Sequence, residues 1–92
     1  MSLSLSKIPH PNPEIISRHL EKEAVLVMPI NGKVKVLNDV GARVWELIDG
    51  GHSIEAIIAR IAQEYNAAEE VVAVDVQTFL AQLADRGMIT LD

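Results

Sequence analysis

At Asn38 the spacing of apolar residues changes from two to about 3.6, and that change divides the chain into a stranded part followed by a helical part. Before it, Lys33-Val34-Lys35-Val36 alternates strictly, residues 24–28 form a short apolar run, and residues 14–20 suit a strand. Glu21-Lys22-Glu23 makes a polar turn between the first two segments. Asn31-Gly32, within Pro29-Ile30-Asn31-Gly32, offers the positive φ angles that a tight hairpin needs between the second and third. Connections this short predict a three-stranded antiparallel meander with its third strand at an edge. The alternation predicts Val34 and Val36 facing the core, with Lys33 and Lys35 facing outward.

After Asn38 three helices follow. Asn38 or Asp39 can cap the first, which carries Val40, Val44, Trp45, Leu47 and Ile48 and stops at Gly50-Gly51. Ser53 caps the second, with Ile54, Ile57, Ile58, Ile61, Ala62 and Tyr65 along one stripe. Asn66 with Glu69 three residues on predicts the start of the third, which carries Val72, Val76, Phe79, Leu80 and Leu83 and ends at Gly87. Trp45, Ile58, Phe79 and Leu83 are expected in the core. The fold class predicted is α+β: a three-stranded antiparallel meander followed by a winged-helix-like trio of helices. Pro9, Pro11 and Pro13 alternate in residues 8–14, where each removes a ladder donor, so residues 1–13 read as an arm and residues 14–92 as one domain.

Ninety-two residues suffice for one modest core. Trp45, Tyr65 and Phe79 are the only aromatics, so that core is built from Val, Ile, Leu and Ala. The chain has no cysteine, which excludes disulfides, a thiol nucleophile and cysteine-ligated zinc or iron–sulfur clusters within it. No apolar run approaches the roughly 20 residues of a membrane span, and the N-terminus lacks a signal core, so a cytoplasmic protein without a membrane partner is expected. His10, His19 and His52 lie far apart and without metal-ligand spacing, so no cofactor or metal is assigned. Neither a nucleophile elbow nor a phosphate-cradling glycine loop is present, and an enzyme is not expected.

Charge separates two binding classes. Residues 1–37 carry a balance of +2 and residues 38–92 one of −7. Three helices resemble a winged-helix DNA reader, but residues 67–86 hold Glu69, Glu70, Asp75 and Asp85 against Arg86 alone, which a duplex would repel. The open third strand has two readings: lysines guarding an edge against aggregation, or an edge that accepts an extended peptide as a further strand. Pairing of that edge with a second copy would give a homodimer.

From Val36 the chain reads Val-Leu-Asn-Asp-Val-Gly-Ala-Arg-Val-Trp-Glu-Leu-Ile-Asp-Gly-Gly-His-Ser-Ile-Glu-Ala-Ile-Ile. It continues through Ile61-Ala62-Gln63-Glu64-Tyr65, Asp75-Val76-Gln77-Thr78-Phe79-Leu80-Ala81-Gln82-Leu83 and Arg86-Gly87-Met88-Ile89. With the preceding hairpin, this ordered set resembles the PqqD family of pyrroloquinoline quinone biosynthesis over roughly residues 14–91. The resemblance implies a non-catalytic recognition element that binds the leader of a ribosomally made precursor peptide. It also implies presentation of that peptide to a modifying enzyme, commonly a radical S-adenosylmethionine enzyme, in quinone synthesis or a related peptide-maturation pathway such as lasso peptide formation. It further implies that the leader adds beside Lys33, Val34, Lys35, Val36 and Leu37 and packs near Val71, Val74, Asp75 and Thr78 of the third helix.

Overall fold

The computed structural model describes residues 4–91, so the first three residues of the expected arm and the last residue of the expected domain lie outside it. The predicted α+β order is present. Strands β2 (Ile16–Leu20), β3 (Glu23–Met28) and β4 (Lys33–Leu37) form an antiparallel sheet in sequential order. Helices α1 (Asp39–Leu47), α2 (Ile54–Glu64) and α3 (Glu69–Asp85) follow. A separate two-stranded ribbon joins β1 (Pro9–Pro11) to β5 (Ile89–Leu91), antiparallel.

Local chemistry sets each junction. Gly32 adopts φ +71°, which lets its N–H meet the Met28 carbonyl at 2.9 Å, while Asn31 Oδ1 accepts from the Lys33 N–H at 3.0 Å. Asn38 caps α1 by accepting from the Gly41 N–H at 2.8 Å, and Ser53 Oγ caps α2 by accepting from the Ala56 N–H at 3.1 Å. The segment before β1 completes the second cap: the Leu5 and Lys7 carbonyls accept from the Glu55 and Ile54 N–H groups, both at 2.9 Å. Donors that a helix N-terminus leaves open are thereby satisfied by the arm.

Asn66 plays a different part from the one its spacing suggests. It takes a left-handed conformation, φ +51°, and the Ala67 N–H then reaches the Ala62 carbonyl at 3.0 Å, which closes α2. Helix α3 starts behind Ala68, whose side chain makes no capping bond, and Glu69 and Glu70 in its first turn favour the positive end of the helix dipole.

The core gathers Ala24, Leu26 and Met28 of β3, Leu37 of β4, and the inner faces of the helices, with Trp45, Ile58 and Leu83 buried as expected. Phe79 departs from expectation: it is half-buried, packed against the core from one side. Helices α1 and α2 are joined at their surface by Arg43, whose Nε and Nη2 donate to the two carboxylate oxygens of Glu64, each at 2.8 Å. That fork-to-carboxylate geometry is the strong form of an ion pair.

The largest correction concerns the phase of β4. In the β3–β4 register Leu26 faces Lys35, Met28 faces Lys33 and Ala24 faces Leu37. Because Ala24, Leu26 and Met28 are buried, the lysines share the inner face and the valines the outer one. Val34 is 53% exposed and Val36 64% exposed, beside Val25 and Val27 of β3 and Ile16 and Leu20 of β2. The hairpin sets this register, and a one-residue difference in phase moves every side chain to the opposite face. Only the Leu37 end of the strand's inner face is buried, with Lys35 half-buried and Lys33 exposed.

Candidate functional site: an open strand edge beside a groove

The third strand of the meander pairs with β3 on one side only, so the backbone groups on its other side are unpaired within the sheet. Alongside that edge runs a groove of about 470 Å³. Its floor and walls come from Lys35, Val36 and Leu37 of β4, from Asn38, Val40, Gly41 and Val44 at the start of α1, and from Asp75, Val76 and Phe79 of α3. Gly41 matters here, because a Cβ at this position would lie 3.7 Å from Phe79 Cζ and 3.2 Å from Asn38 Oδ1. A side chain at residue 41 would therefore occupy the space between α1 and α3.

Leu37 and Phe79 both border Gly41, and with Val40, Val44 and Val76 they make much of the lining apolar, while Lys35 and Asp75 are its charged members. Lys35 stands half-buried on the strand side and Asp75 is exposed on the helix side. Neither Lys33, Lys35 nor Asp75 has an ion-pair partner among the described residues.

Of the residues singled out from the sequence, Lys35, Val36, Leu37 and Asp75 line this groove. Lys33 and Val34 lie along the same strand outside the groove lining. Val71, Val74 and Thr78 occupy a neighbouring face of α3, turned to solvent, with Val71 60% and Val74 63% exposed. Asn38, Val40, Gly41, Val44, Val76 and Phe79 also line the groove, and periodicity marks them only as cap or helix-face residues. The available signal was the glycine inside the first turn of an otherwise regular helix, a position that often marks close packing.

Away from the groove, His52 Nδ1 lies 3.0 Å from Asp49 Oδ1, which also accepts from the Gly51 N–H at 2.8 Å. These two bonds, the backbone one foremost, lower the pKa of Asp49. Both belong to the turn between α1 and α2. Among the described residues no group of three or more His, Asp or Glu side chains is placed to hold a metal ion, and no helix is long and apolar enough to cross a membrane.

An open sheet edge, a helix lying across from it and an apolar groove between them give this small α+β domain the geometry that an added strand requires. Residues 23–89 match the family described as Coenzyme PQQ synthesis protein D (PqqD), and the chain belongs to that family. It is similar to the PqqA binding protein of Rhodopseudomonas palustris (strain BisB5), 34% identical over 58 residues, which are 63% of this chain and 57% of the relative. To the PqqA binding protein of Rhizobium meliloti (strain 1021) it is 28% identical over 69 residues, 75% of this chain and 68% of that one. The solved structure of TbiB1 in complex with the TbiA(beta) leader peptide superposes with a TM-score of 0.80 at 30% identity, covering 87% of this chain and 93% of that one.

Proposed function

We propose that this chain is a non-catalytic, cytoplasmic binding protein that takes the leader of a ribosomally synthesised precursor peptide as an additional strand on β4. It then presents that peptide to a separate modifying enzyme of the radical S-adenosylmethionine class, in the making of pyrroloquinoline quinone or a related peptide-derived product. The observation that carries this reading is the unpaired β4 edge bordering an apolar groove walled by α3. Support comes from the relatives, two of which are named for binding PqqA, and from a solved relative bound to a leader peptide.

In this reading residues Lys33, Val34, Lys35, Val36 and Leu37 contribute the ladder, and the peptide's alternate side chains enter the groove. Asp75, Val76 and Phe79 form the facing wall. Val71, Val74 and Thr78 are reached only by a leader that continues over the helix. The groove's ionisable side chains are Lys35 on the strand and Asp75 on the facing helix. Chemistry is left to the partner enzyme.

A DNA-reading role is disfavoured by α3, which carries Glu69, Glu70, Asp75 and Asp85 and no basic residue. Self-pairing of the β4 edge is the competing use of the same surface. The test is a titration of isotopically labelled protein with the leader half of a precursor peptide encoded beside this gene, followed by amide NMR. Shifts and exchange protection concentrated in residues 33–37 and around Phe79, at an unchanged protein mass, are expected. A concentration-dependent dimer with no response to peptide would refute the reading.

A further inference from the structure

Beyond binding a leader as a strand, the structure assigns a sequence preference. We infer that the groove selects a peptide carrying an apolar anchor and, two residues away, a carboxylate that pairs with Lys35. This rests on the strand-addition reading above and goes on to name what the peptide must contain.

The argument follows from the pleat. A strand added beside β4 continues the sheet, so its inward-facing residues sit level with Lys33, Lys35 and Leu37 and its other residues face outward beside Val34 and Val36. The inward residue level with Leu37 approaches the part of the groove where Leu37 and Phe79 both border Gly41, and an apolar side chain suits that end. The next inward residue, two positions along, lies level with Lys35, a half-buried ammonium stem with no ion-pair partner among the described residues. An acidic side chain there satisfies the cation, while a basic one faces like charge from both Lys35 and Lys33.

The opposite rim reinforces the placement. Asp75 repels a carboxylate that leans toward α3, so the acid is held on the strand side. The order of the two residues reports direction: a strand antiparallel to β4 passes the Leu37 level first and presents the anchor before the acid, whereas a parallel strand presents the acid first.

The test is selection from a phage-displayed random 12-residue library on the full chain, its Lys35→Gln variant and its Lys35→Glu variant, all checked by circular dichroism. Wild type is expected to enrich Asp or Glu two residues from a Leu, Ile, Phe or Tyr anchor. Lys35→Gln should keep the anchor and lose the charge preference, and Lys35→Glu should enrich Lys or Arg in its place. In calorimetry, exchanging the acid for lysine in a selected peptide should weaken wild-type binding about three- to tenfold and strengthen binding to Lys35→Glu. Enrichment of apolar anchors without a charge preference, or the same preference in all three proteins, overturns the role of Lys35 and leaves strand addition standing. Failure to enrich any extended apolar motif overturns both.

Discussion

Lys35 and Leu26 face each other across the β3–β4 ladder, one half-buried at the rim of a groove and the other fully buried in the core. That pairing fixes which face of β4 looks inward, and it gives neighbouring backbone positions opposite duties. Along a strand, successive N–H groups point to opposite sides, so of Val34 and Lys35 one donates toward β3 and the other toward the open edge. Val34→Pro and Lys35→Pro should therefore behave differently. One should lower stability by removing a ladder bond, and its neighbour should stay folded but lose peptide binding. Denaturation midpoints and peptide titration on the two variants check this; equal behaviour of both would refute an open-edge mode.

Phe79 and Leu80 are adjacent in α3 but serve different surfaces. Leu80 is fully buried, and Leu80→Ala should cost about 2–5 kcal/mol. Phe79 is half-buried and opens onto the groove, so Phe79→Ala should cost less stability than Leu80→Ala while weakening peptide binding more. Urea denaturation and calorimetric titration separate the two effects.

The α1 cap and Gly41 are coupled. Asn38→Ala removes the acceptor of the Gly41 N–H and should destabilise the protein by about 0.5–2 kcal/mol. Gly41→Ala gains about 1 kcal/mol of helix propensity but sets a Cβ 3.2 Å from Asn38 Oδ1, so the cap must shift. In the Asn38→Ala background that neighbour is gone. A double-mutant cycle by thermal denaturation should then show Gly41→Ala more favourable in the variant than in wild type.

Arg43 holds Glu64 below its ordinary pKa of 4.5, chiefly through the hydrogen bond between them. A carboxyl with a depressed folded-state pKa contributes stability above its unfolded pKa, and this contribution is lost as pH falls through the folded value. Wild-type stability should therefore fall on acidification below about pH 4.5, and Arg43→Met should reduce the slope in that window. Denaturation midpoints measured from pH 6 to about pH 3 supply the check.

Much of the architecture is legible in the residues. The change of period at Asn38, the Asn31-Gly32 hairpin, the Asn38 and Ser53 caps and the stop at Gly87 each correspond to an observed boundary. The misreadings have physical causes. Strict alternation in Lys33-Val34-Lys35-Val36 identifies a strand but not the side that faces inward, because the apolar member of a two-residue repeat faces the core only where a core lies beneath it. Asn66 suits either a helix start or a left-handed stop, and backbone context selects the stop. Phe79 has the right period for the core but sits where α3 borders the groove. The groove joins β4, the first turns of α1 and the middle of α3, segments brought together only by tertiary packing.

The ribbon between Pro9–Pro11 and Ile89–Leu91 couples the most distant described parts of the chain, with Asn12 Nδ2 adding a bond to the Gly87 carbonyl at 2.9 Å. Closing so long a loop costs only about 0.6 kcal/mol more per doubling of its length, and the buried Pro9 and Ile89 side chains offset that cost. The ribbon consists of two strands of only three residues each, and each has a single strand partner. Amide exchange should show it as a clasp that releases below the global unfolding free energy. Its release would also free the Leu5 and Lys7 carbonyls that seat the first turn of α2. Opening of the ribbon would thereby reach a helix in the middle of the chain.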